Sequence, residues 1–205
     1  MDTTQPEPPL QLVTIEQDTE KSKNLIKPAR EIQFPLSEQI KVFIEQLKEK
    51  AIAENAAGLA ASQVGQHLRI ICFRVFEASI KARSLDASEE FPLTVLINPT
   101  YQGVEEDGKN NDEWEGCFSV ENICGKPFRY NTIRYTGFNI QGEPIKGTAK
   151  GFLARLIQHE IDHTNGILFA QHLTPACTQG TPQQMEPIRT KEYEERRNRK
   201  QEATK

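Results

Sequence analysis

Few patterns tie a chain down as tightly as His159-Glu160-Ile161-Asp162-His163, an H-E-x-x-H run. On a helix, positions four apart lie one above the other, so His159 and His163 aim two imidazoles at one point with Glu160 beside them. Phe152, Leu156, Ile157 and Ile161 recur at helical spacings through the same stretch, and Asn165-Gly166 supplies a C-terminal stop. Two imidazoles and a carboxylate so placed can hold a divalent metal and take a proton from its water. The plain alternative is a polar helix whose histidines cap or pack while Glu160 and Asp162 face water.

A metal site with an open position needs a third protein ligand. One solution continues the pattern to a third histidine six residues on, but Phe169 stands there and cannot ligate. A second uses a downstream glutamate, Glu186 or Glu192, in a charged, proline-interrupted tail that has to fold back over the site. A third draws a cysteine from upstream, offered by Glu115-Gly116-Cys117-Phe118-Ser119.

Composition narrows the partners. The chain has 205 residues, a net charge of -4 and a pI near 5.7, which argues against DNA or other nucleic acid as a bulk partner. No apolar run reaches membrane-spanning length, and the first residues lack a basic-then-apolar export signal, so a cytoplasmic setting is expected. There Cys72, Cys117, Cys124 and Cys177 stay reduced, and the absence of C-x-x-C argues against a closed structural zinc site.

Taken in order, residues 1–33 read as a loosely ordered leader with a short strand at Leu10-Ile15. Ser37 to Asn55 carries Ile40, Phe43, Ile44, Leu47 and Ala51 at intervals of three and four, an amphipathic helix. It runs into a string of small residues, Asn55 to Gly65, that permits close backbone approach. Arg69 to Val75 and Thr94 to Asn98 are expected strands, with an exposed loop at Ser79 to Glu90 between them. Asn131 to Ile145 reads as a hairpin around Gln141-Gly142, with Thr148 a cap for the histidine helix. After residue 174 a charged tail, residues 175–205, reads as a solvated helix or disorder, or as a docking handle for a large partner. The whole suggests one α+β domain over residues 34–174, with largely antiparallel sheets around a central metal-binding helix.

Three segments together resemble the peptide deformylase family, whose blocks run G-φ-G-φ-A-A-x-Q, E-G-C-φ-S and H-E-x-x-H, φ being apolar. Here they stand as Ala56-Ala57-Gly58-Leu59-Ala60-Ala61-Ser62-Gln63, Glu115-Gly116-Cys117-Phe118-Ser119 and His159-Glu160-Ile161-Asp162-His163. A deprotonated Cys117 with neutral His159 and His163 leaves a divalent ion one net positive charge and an open fourth position. Glu160, not a ligand, can act as the base. The resemblance implies that the Gln63 amide and the Phe118 backbone N–H stabilise an oxyanion, and that a peptide pairs as an added strand along Gly58 and neighbours such as Ala57. Phe152 and Leu156 fall on the histidine face, lining a methionine pocket or simply packing in the core.

The implied substrates are N-formylmethionyl peptides or nascent chains, and the implied ion is iron(II), with zinc, nickel or cobalt able to take the site. By analogy with bacterial relatives the charged run after Lys191 in this C-terminal tail docks on the ribosome and is dispensable for small-peptide turnover. A zinc protease and a non-catalytic formyl-peptide-binding relative are the alternative readings. The match has gaps. Ala56 replaces the first glycine, where a positive φ is costly, no D-P-x-L-R element precedes it, and no arginine lies between Ser119 and Arg129.

Overall fold

A computed structural model describes residues 9–203. The first eight residues, part of the expected leader, lie outside the described residues. Helix α1 is Glu20–Lys23, α2 Glu38–Ala53, α3 Glu77–Arg83, α4 Gly151–Thr164 and α5 Pro182–Ala203. The strands are β1 Gly58–Ala60, β2 Ile70–Val75, β3 Phe91–Gly103, β4 Lys109–Asn110 and β5 Glu115–Cys117. They continue with β6 Val120–Gly125, β7 Arg129–Tyr130, β8 Thr132–Phe138, β9 Pro144–Lys150 and β10 Gln179–Gly180. A five-stranded sheet runs β1-β2-β3-β8-β9, a three-stranded sheet β10-β6-β5 and a small pair β4-β7, with every strand pairing antiparallel.

Helix α4 is the axis of the molecule. Every residue from Ala154 to Thr164 is buried, as are Phe152 on its cavity side and the apolar Leu156, Ile157 and Ile161. A helix buried on all sides belongs inside a domain rather than on its surface. Leu156, Ile157 and Ile161 join one core with Ile71, Phe73 and Leu96 of the large sheet. Helix α2 covers a second core, burying Phe43, Ile44, Leu47 and Ala51 against Leu59, Ile70 and Cys72. Its start is capped by Ser37, whose hydroxyl accepts from the Ile40 N–H at 3.3 Å. At its far end Asn55 takes the left-handed conformation, with φ of 51°.

Helix α4 stops at Asn165 and Gly166, the latter with φ of 72° and the Lys27 backbone so near that a Cβ there would fall within 2.6 Å of it. Only glycine satisfies both demands.

Several local expectations differ from what the fold contains. The expected loop from Ser79 to Glu90 is a loop only beyond Arg83, because α3 occupies Glu77–Arg83, its start fastened by the Ser79 hydroxyl to the backbone of Phe76. The helix has no apolar period to announce it, since it buries none of its own residues. Strand β3 runs on through Pro99, tolerated at a bulge where the register shifts between Ile97 and Thr100 and Asn98 has φ of 49°. Thr148 is no cap, because it lies within β9 opposite Arg134, and α4 starts directly from Lys150.

Ala56 carries no left-handed strain, since the positive φ falls one residue earlier, on Asn55. The leader from residue 9 is packed rather than loose: Val13, Leu25, Ala29 and Ile32 are buried. No strand forms at Leu10-Ile15, yet the Val13 N–H donates to the Gln63 carbonyl at 2.8 Å and the Ile15 N–H to the Ser119 carbonyl at 3.0 Å. The leader thereby joins the first two motif segments.

Candidate active site

The three motif segments meet beside α4. Cys117 arrives on β5, and its Sγ lies 3.3 Å from His163 Nε2. Ligand atoms of Cys117, His159 and His163 all fall within 4.8 Å of one another. The two imidazoles are buried and edge-on, with ring centres 5.1 Å apart, as helical spacing demands. Phe169, at the position tested for a third histidine, stacks on His159 with centres 5.8 Å apart.

One imidazole is aimed by a carboxylate, whereas His163 Nδ1 is buried with no hydrogen-bond partner among the described residues. His159 Nδ1 lies 2.9 Å from Glu115 Oε2, and a carboxylate only accepts, so Nδ1 carries the proton and Nε2 is turned to Cys117. Glu115 and Cys117 are two apart on one strand, so both face inward while Gly116 between them faces out. Glu115 also accepts from Arg129 Nε and Nη2 and from Arg155 Nη1, each at 2.9 Å. Arg129 in turn pairs with Asp162, which also meets His172 Nε2 at 2.8 Å.

Burial opposes ionisation of Glu115, but the charge on Arg129 and the hydrogen bonds from His159 and Arg129 outweigh it and hold the acid well below the usual carboxylate range. Burial lowers His159 as well, yet bonds to Cys117 and Glu115 raise it well above an ordinary imidazole. His163 is driven down by burial and by the charge on His159.

Glu160 sits apart from this network. Its Oε2 is buried with no hydrogen-bond partner among the described residues, and burial pushes its pKa up to about 7, with Glu115 reinforcing and His159 opposing. Its carboxylate lies against Gly58, where an added Cβ would come within 2.3 Å of Oε1. The small residue in the first motif therefore makes room for Glu160.

Gln63 is locked by its own loop. Its Oε1 accepts from the Ala60 N–H at 2.9 Å, which turns the amide nitrogen to within 3.4 Å of Cys117 Sγ. A cavity of about 360 Å³ opens on the cluster, lined by Ala57, Gly58, Gln63, Phe118, Phe152 and Leu156 among others. Phe118 is 38 % exposed at its mouth.

All ten candidate residues read from the sequence thus border one cavity or its metal cluster. Sequence reasoning missed the buried pairs of Glu115, Arg129, Arg155 and Asp162. Glu115 was readable from its two-residue offset to Cys117. The arginines carried no local signal, and Arg129 is 3 % exposed and spent on its ion pairs. Glu192, tried as a ligand, is taken by Trp114 Nε1 at 2.8 Å and Lys126 Nζ at 3.0 Å.

One thiol and two imidazoles with converging ligand atoms, and a buried carboxylate oxygen without a hydrogen-bond partner alongside, suit a divalent ion. This α+β fold and its site define a metal-dependent hydrolase acting on amides. Residues 12–179 match the family profile described as polypeptide deformylase. Peptide deformylase 2 of Rickettsia conorii is 41% identical over 160 residues, 77% of this chain and 78% of the relative. Peptide deformylase 1 of Nitrosomonas europaea is 37% identical over 149 residues, 73% and 81% of the two chains. The fold is similar to a peptide deformylase from Synechococcus elongatus solved in complex with actinonin, with a TM-score of 0.66, 28% identity and 84% of each chain covered. The chain belongs to the polypeptide deformylase family, enzymes that remove the formyl group from the N-terminus of newly made polypeptides. Neither the protease reading nor the non-catalytic one is favoured.

Proposed function

We propose that Cys117, His159 and His163 hold one divalent ion, with Glu160 as the acid–base group of formyl removal. The observation that carries this is the convergence of a β5 thiol on two α4 imidazoles, with ligand atoms within 4.8 Å. A bound ion supplies a Lewis acid and draws the pKa of water toward neutrality. Iron(II) is the ion we favour, on the resemblance to the family, with zinc, nickel or cobalt as substitutes, since one sulfur with two imidazoles suits any of these ions.

Glu160 takes the proton of the attacking water and passes it to the peptide nitrogen as the formyl C–N bond breaks. The products are formate and a free α-amine. The Gln63 Nε2 and the Phe118 N–H donate to the formyl oxygen as charge builds on it. The fixed rotamer of Gln63, accepting from Ala60, supports its part by keeping the donors turned inward. β1 lies at the edge of its sheet, which supports peptide pairing along Ala57 and Gly58 as an added strand. Phe152, Leu156 and His159 share one face of α4 at offsets of four and three, which supports a pocket for the methionine side chain running along the helix.

Anaerobic iron(II) loading followed by a formate assay on a formyl-Met tripeptide tests the proposal. Activity is expected in the parent and a drop of at least about 100-fold in Glu160→Gln. Full activity in that variant would reject Glu160 as the base.

No helix among the described residues is long and apolar enough to cross a membrane. The setting we propose is the cytoplasm, where nascent chains carry the substrate. Helix α5 exposes Lys191, Arg197 and Arg199 at different points around its surface, which supports contact with anionic ribosomal surface. Arg197→Glu with Arg199→Glu is expected to weaken ribosome co-sedimentation, and unchanged sedimentation would dismiss that contact.

A further inference from the structure

Two helical turns, about 10 Å, separate Phe152 from His159 on the cavity face of α4. There the cavity meets Arg83 of α3, whose guanidinium carbon lies 4.6 Å over the centre of the Phe152 ring. Arg83 is held from one side only. Its Nη1 donates to Glu113 Oε1 at 3.0 Å, to the Trp114 carbonyl at 3.0 Å and to the Tyr193 hydroxyl at 3.1 Å. Among the described residues Nε and Nη2 make no hydrogen bond.

The clamp itself comes from the C-terminal helix. Tyr193 is buried, its hydroxyl donates to Glu113 Oε1 at 2.5 Å, and its carbonyl accepts from Ser84 Oγ at 3.0 Å. Arg196 Nη1 donates to Glu113 Oε2 at 2.7 Å and to the Arg83 carbonyl at 3.0 Å. One carboxylate thus serves two guanidiniums, leaving a net positive charge with free donors at the wall of an otherwise largely apolar cavity.

We propose that Arg83 is a specificity-determining residue at the far end of the pocket for the first side chain, and that Tyr193 of α5 is a positioning residue that sets it there. This rests on the reading that Phe152 and Leu156 line that pocket. The wall favours formyl peptides whose first side chain ends in a hydrogen-bond acceptor. The thioether of methionine accepts weakly, its sulfoxide accepts strongly, and norleucine, of the same length, not at all. Seating norleucine leaves the free donors desolvated and unpaired, which a site pays for in discrimination.

The test is kcat/KM for tripeptides beginning with formyl-methionine sulfoxide, formyl-Met and formyl-norleucine, with iron-loaded parent, Arg83→Leu and Tyr193→Phe. Metal content and thermal midpoint are recorded for each. The parent is expected to prefer sulfoxide over norleucine by about tenfold or more. Arg83→Leu should remove or invert that preference, and Tyr193→Phe should narrow it severalfold through KM with kcat held. A parent that prefers norleucine, or a ratio unmoved in Arg83→Leu, overturns the proposal. If Arg83→Leu does not fold, an unmoved ratio in Tyr193→Phe does the same. Failure of the parent to release formate from any formyl peptide would instead overturn the reading of the site itself.

Discussion

Glu160 is a carboxylate with one oxygen against a glycine and the other without a protein partner at the wall of the cavity, a costly arrangement unless the group has work there. Its raised pKa gives a direct consequence. A base must be ionised, so kcat/KM should fall as pH drops through the Glu160 pKa, which burial lifts to about 7. A pH–rate profile flat down to pH 5 would contradict this. Gly58→Ala should displace the carboxylate, since the new Cβ would stand 2.3 Å from Oε1. Circular dichroism should then show a folded protein whose formate release has dropped, whereas unchanged turnover would mean Glu160 need not sit where it does. Gln63→Ala should cost about 3 kcal/mol in kcat if its amide stabilises the oxyanion. An unchanged kcat would remove it from that role.

Among elements, α4 and β5 bring the site together, and the ion pairs between them fix their relative position. Glu115 is the hub, linking β5 to Arg129 of β7 and to Arg155 and His159 of α4. Removing one partner of such a buried set typically costs about 3–5 kcal/mol, because the others stay charged and dry. Glu115→Gln should therefore unfold at markedly lower denaturant. The folded pKa of Glu115 lies below its unfolded value, so its contribution is complete above about pH 4 and is lost as pH falls toward the folded value. The stability gap between parent and Glu115→Gln should narrow in acid. A gap constant from pH 7 to pH 3 would contradict the assignment.

How much of this could be read from the chain depended on the range of the signal. Helices α2 and α4 and the β8–β9 hairpin announce themselves by local period and turn residues, and the Cys117, His159 and His163 set by motif spacing. Helix α3 has no apolar stripe, and β3 hides behind Pro99, whose missing N–H only a bulge excuses. The leader's role rests on two backbone hydrogen bonds to segments roughly 50 and 100 residues away, which no periodicity encodes. Arg83 and Arg129 were invisible as site residues for the same reason, since their partners are distant in sequence.

At the scale of the whole molecule, the charged C-terminal run is less a free appendage than its composition suggests. Helix α5 exposes most of its length, yet Tyr193, Glu192 and Arg196 reach inward to Glu113, Trp114 and Arg83 beside the cavity. Truncation after Lys191, which removes Glu192, Tyr193 and Arg196, should then raise KM for small formyl peptides, contrary to the expectation from sequence that this run is dispensable. Unaltered steady-state kinetics in the truncated enzyme would restore the simpler picture.

The central claim is that a sulfur from one strand and two nitrogens from one helix enclose a single ion. X-ray absorption at the metal edge, on anaerobically loaded protein, addresses it most directly. The account predicts one sulfur, at about 2.3 Å if the ion is zinc, together with two imidazole nitrogens, and loss of the sulfur shell in Cys117→Ser. A first shell of nitrogen and oxygen alone in the parent enzyme would contradict it.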